Sequence, residues 1–123
     1  MATYKEIITA STGIRKVSKI DLKIKDAVNV SKLIKKLDSE MVVFYELREK
    51  ICKKYGQLDE EKQQYFIPPE NREKVNEQMK ELEVTEVDTG EKIKITVEDD
   101  MRIDAASVSL CEPFIDFDFE GVD

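Results

Sequence analysis

The sequence predicts an α+β domain: a helical hairpin with one long helix packed on a small, mainly antiparallel sheet. Three observations carry this. Apolar and polar residues alternate over residues 16–25 and again over 92–97, the pattern of strands with one buried face. Between them lies a long apolar series at gaps of 3 and 4, and a shorter one follows Pro68-Pro69. A chain of 123 residues, 41% apolar, holds one modest core, so residues 1–123 read as a single domain with an acidic, extended C-terminal segment at 113–123.

Ile20, Leu22 and Ile24 alternate with Lys19, Asp21, Lys23 and Lys25, which predicts a strand over residues 16–25. Its lysines suit an exposed edge. Asp26 can then cap a helix in which Ile34, Leu37, Met41, Phe44, Ile51 and Tyr55 recur on one stripe. Arg48 fills the one slot missing from that stripe, and Gly56 supplies a left-handed stop. The helix should span about 28 residues, roughly 42 Å. That exceeds a small core, so the helix either packs along a second helix or projects part of its stripe toward a partner.

Residues 57–65 read as a loop or frayed turn. A second helix over residues 69–82 starts at Pro69 and carries Val75, Met79 and Leu82 on one stripe, completing the hairpin. Residues 84–97 read as two strands about an Asp88-Thr89-Gly90 turn, with Ile93, Ile95 and Val97 on one face. Asp104 can cap a short helix through Leu110, ended by Glu112-Pro113. The apolar faces of the two predicted strands should meet Leu37, Met41 and Phe44.

Charged residues make up 38% of the chain and the net charge is -7. No apolar run approaches the roughly 20 residues needed to cross a bilayer, and no signal peptide is evident at the N-terminus. The expected location is the cytoplasm or an assembly built there. Charge is unevenly placed: residues 1–37 hold nine Lys/Arg and three Asp/Glu, a balance of +6, whereas residues 81–123 hold three against fourteen, a balance of -11. The two ends either pack beside each other and neutralise, or leave an acidic face for a basic partner.

No histidine is present, which removes His-based triads and most zinc sites. Cys52 and Cys111 have no metal or redox spacing and read as reduced, partly buried thiols. The four glycines fit no phosphate-binding signature. Neither Glu98-Asp99-Asp100 nor Asp116-Asp118-Glu120 matches a calcium loop, so both read as solvated acidic faces, with at most a weak divalent site. The basic N-terminal third lacks interleaved aromatics, and the acidic third would repel nucleic acid. No cofactor and no catalytic residue is expected.

The order of KIDLKIKDAVNVSKLIKKLDSEM, FYELREKICKKYGQLDEE, IPPENREKVNEQMKELE and LCEPFID resembles a family of small, uncharacterised phage and prophage proteins of Gram-positive bacteria. The likeness spans about residues 19–117 and rests on Lys35-Lys36-Leu37, Lys54-Tyr55-Gly56, Glu70-Asn71 and Glu112-Pro113-Phe114-Ile115. It implies a virion or infection accessory protein and carries over no catalytic residue. The expected function is therefore non-enzymatic protein–protein interaction in virion morphogenesis or at the tail, with self-association a further option. The alternative is an acidic inhibitor of a host factor, a nucleic-acid mimic being one form. Candidate partner-binding residues are Asp116, Phe117, Asp118, Phe119 and Glu120 of the alternating C-terminal run, with Arg48 and Tyr55 of the long helix. That run should either complete the protein's own sheet or pair with a neighbour.

Overall fold

Thr3 and Glu6 open the first helix of the chain. In the computed structural model, which describes residues 1–98 and 101–119, Glu6 N–H donates to Thr3 Oγ1 at 3.2 Å and Thr3 N–H to Glu6 Oε1 at 3.1 Å. This capping box starts α1 (Tyr4–Val17), whose Ile7, Ala10, Ile14 and Val17 recur at helical spacing and are all buried. Residues 16–25 are therefore not the predicted strand. α1 runs on through Val17, a short turn follows, and α2 (Ile24–Tyr55) begins. Ile24, expected inside, is 84% exposed. The N–H groups of Ser18, Lys19 and Ile20 bond back to carbonyls of the last turn of α1, whereas a strand here would have needed a partner.

α2 has 32 residues, about 48 Å of helix. Its N-cap is Lys23, not Asp26. Asp26 instead lies in the first turn, buried, where its Oδ2 accepts a hydrogen bond from Thr96 N–H at 3.2 Å. Gly56 ends the helix in extended conformation (φ -143°), not left-handed. A Cβ there would stand 2.6 Å from the Phe66 carbonyl oxygen and 2.6 Å from Ile67 Cδ1, so close approach, and not handedness, requires glycine.

Residues expected to form a loop make a hairpin: β2 (Gln57–Asp59) pairs antiparallel with β3 (Gln64–Phe66). A 3-10 turn (Pro69–Asn71) leads into α3 (Arg72–Glu83), which packs against α2 and buries Leu82, with Met79 half-buried. The helical hairpin is thus present. The expected pairing within residues 84–97 is not. β4 (Glu86–Val87) pairs antiparallel with β1 (Ala2–Thr3), and β5 (Ile93–Thr96) pairs in parallel with β6 (Ile115–Asp118). The turn between β4 and β5 does form, with Gly90 at φ 80° and its N–H donating to Asp88 Oδ1 at 2.9 Å. Both flanking strands nonetheless find partners near the chain ends. The α+β class holds, with three two-stranded pairs among the described residues in place of one sheet, two antiparallel and one parallel.

One core joins these pieces. Ile7, Ala10, Ile14 and Val17 of α1 belong to one buried cluster with Val30, Leu33, Leu37 and Phe44 of α2, Ile95 of β5, and Cys111, Phe114 and Ile115. α4 (Ala105–Cys111) starts at Asp104, as its sequence predicts, and the Ser107 hydroxyl donates to the Asp104 carboxylate. Glu112 keeps a helical conformation (φ -47°, ψ -41°) despite preceding Pro113, so the proline does not end α4 in the way expected. α1 lies close against α4 at Gly13, where a Cβ would meet Leu110 Cβ at 3.0 Å and Cys111 Sγ at 3.2 Å. This contact brings the basic and acidic ends of the chain together. Lys16 helps to hold Asp104 below the usual carboxylate range, after the larger effect of the Ser107 hydroxyl, and Lys23 pairs with Glu98 at 3.5 Å.

Candidate functional site

Two grooves hold four of the candidate residues. The first, about 540 Å³, is lined by Glu6, Lys92 and Glu112 beside Asp116, Phe117 and Phe119 of the C-terminal segment. The β5–β6 ladder positions these last three. Ile93 N–H donates to the Phe114 carbonyl at 3.0 Å, and Val97 N–H to the Asp118 carbonyl at 2.7 Å. In a parallel ladder a residue's N–H and C=O point to the same side, so those of Phe117 face away from β5. No further strand pairs with β6 among the described residues. The opposite edge of the pair differs, because Asp26 covers the outward N–H of Thr96 there.

Side chains on β6 alternate as the sequence predicts. Ile115 is buried, Phe117 is half-buried and Asp116 is exposed. Phe119, just beyond the strand, is 45% exposed, and its ring centre lies 6.3 Å from that of Phe117. Asp118 closes the ladder through its backbone. Glu120 lies outside the described residues, as do Asp99 and Asp100. Among the described residues, no three His, Cys, Asp or Glu side chains gather as a metal site.

Arg48 belongs to a second groove, about 510 Å³, between α2 and the β2–β3 hairpin, lined also by Tyr45, Glu49, Cys52, Gln63, Gln64 and Tyr65. Arg48 leaves a gap in the apolar stripe: Phe44 is the last buried residue of α2, and beyond Arg48 the half-buried Ile51 still packs against the core. The Tyr65 hydroxyl donates to Glu49 Oε1 at 3.3 Å, and burial together with the Glu49 carboxylate pushes the phenol above its usual range. Tyr55 lines neither groove. It ends α2, where its carbonyl accepts from Asn71 Nδ2 at 3.0 Å and Lys54 Nζ lies 5.3 Å from its ring centre. Tyr45 and Tyr65 went unpredicted. Only the loop reading of residues 57–65 hid Tyr65, since Tyr65 and Phe66 carry strand propensity.

Both cysteines are free thiols. Burial pushes Cys111 up to about 11, while Cys52 is half-buried at the second groove. At pH 8 an aromatic disulfide reagent should label Cys52 and leave Cys111 untouched until denaturant is added. Above pH about 9 the unfolded chain gives up the Cys111 proton while the folded chain keeps it, so stability should fall as pH rises from there toward 11. Immediate labelling of both thiols in the native protein would contradict the buried position.

No protein-family model, curated protein or solved structure matches the chain. These comparisons give no support to the phage-family resemblance, which is read from short signatures alone. Several of these occupy positions with structural work to do: Gly56 at the close approach, Asn71 bonded to Tyr55, and Phe114 and Ile115 in the core. No helix among the described residues is long and apolar enough to cross a membrane.

Proposed function

We propose that the protein is a non-enzymatic phage accessory protein that acts by protein–protein interaction, in virion morphogenesis or at the tail. The observation that carries this reading is the groove at β6. Among the described residues no strand pairs with the outward edge of β6 at the Phe117 backbone, which lies beside Phe119 and Asp116, an arrangement suited to an extended segment of another protein. Glu6, Glu112 and Asp116 outnumber Lys92 in its lining, so the segment should be basic. The phage context comes from the sequence signatures, and with it the infected cell and its virions as the place of action.

Asp116 and Phe119 are exposed, so an Asp116→Ser, Phe119→Ser double variant should keep its melting temperature within about 2 °C. It should also lose co-sedimentation with assembling particles by about tenfold or more. A wild-type protein that binds no virion component, or a double variant that binds as well as wild type, would sink the reading. The acidic lining also suits the second reading, inhibition of a basic host factor. In that case capture would come from uninfected host lysate, weaken in high salt and disappear on Asp116→Ser.

A further inference from the structure

The outer face of α2 carries a pattern that is its own complement when reversed. Glu40, Val43, Leu47 and Lys50 follow at gaps of 3, 4 and 3, so they share one stripe of the helix. Leu37, Met41, Phe44 and Ile51 form a different stripe, turned into the core. Val43 is 41% and Leu47 37% exposed. Glu40 sits at one end of the stripe, where its Oε2 accepts from the Tyr4 hydroxyl at 3.5 Å. Lys50 is exposed at the other end.

We propose that a second copy of this chain docks here, α2 against α2 and antiparallel, about a two-fold axis passing between Val43 and Leu47. Reversal sets Val43 of one chain against Leu47 of the other and Glu40 against Lys50, twice over. The order acid, apolar, apolar, base is what such an axis requires, and this charge complementarity selects a second copy over an unrelated partner. The body of the domain flanks the stripe beyond Glu40, since Lys36 Nζ lies 3.3 Å from where a Cβ on Gly90 would be. The helices therefore cross at the centre, in the manner of ridge-and-groove packing at about 50°, and do not run side by side. So short a contact buries less than the roughly 1,600 Å² of a standard interface, and association should be reversible and concentration-dependent.

Sedimentation velocity on the full chain over about a hundredfold range of concentration should show monomer passing to dimer. Lys50→Glu and Glu40→Lys should each weaken dimerisation by about tenfold or more, as should Leu47→Glu. Equimolar mixing of the Lys50→Glu and Glu40→Lys proteins should restore it, because both charge pairs in the mixed dimer are again opposite. Lys50 is exposed, so Lys50→Glu keeps the test valid even if the loss of the Tyr4 contact harms the Glu40 variant; circular dichroism checks each fold. A chain that stays monomeric throughout, a dimer indifferent to Lys50→Glu, or a mixture of folded variants that fails to associate overturns the proposal. The β6 groove lies on other residues, so its binding assay reads separately.

Discussion

Ile95→Asp is expected to unfold the protein. Ile95 is 1% exposed, in the middle of β5, which packs against α2, and it belongs to the buried core cluster. Truncating it to alanine would cost about 2–5 kcal/mol, already a large share of the roughly 5–15 kcal/mol that holds an ordinary domain together. Aspartate adds a carboxylate that must be buried without a partner or forced to take up a proton. The same change at Met41 should be milder than its place on the stripe suggests, because Met41 is only half-buried. Near-ultraviolet circular dichroism and urea titration check both. A soluble Ile95→Asp protein with a wild-type unfolding transition would refute the placement of β5.

Ending the chain at Asp116 is expected to destabilise the fold and not merely to weaken binding. The truncation removes Phe117, half-buried on the core, and the Asp118 carbonyl that accepts from Val97 N–H at 2.7 Å. Losing part of a large apolar contact and leaving a buried donor unpaired together cost about 3 kcal/mol or more. Val97 is itself buried, so water does not readily replace the lost acceptor. The urea midpoint of the truncated chain measures the effect. An unchanged midpoint would mean that the segment serves a neighbour and not its own sheet.

The two candidate surfaces were legible to different degrees. Alternation placed Asp116, Phe117 and Phe119 on a strand, and the structure brings all three to one groove. Arg48 and Tyr55 came from the same stripe of α2, yet only Arg48 lines a groove, because the hairpin that walls it was read as loop. The link from Asp26 to Thr96 spans 70 residues and had no sequence signal beyond a capping role that Asp26 does not fill.

α1 was missed although its capping box and its buried spacing are present in the sequence. Thr9, Ser11, Thr12 and Gly13 are poor helix formers, and an isolated helix of 14 residues is marginal; packing on α4 at Gly13 supplies what propensity lacks. By itself, then, the sequence determined the α+β class, the long helix with its core stripe, the second helix of the hairpin, and the inward faces of β5 and β6. Those features follow from local periodicity, which needs no knowledge of partners. Only the tertiary structure decided that residues 16–25 join two helices, that β4 pairs with β1, and that β5 lies parallel to β6. Strand pairing is a choice among distant segments, Ala2 with Val87 and Ile93 with Ile115, which local periodicity does not encode.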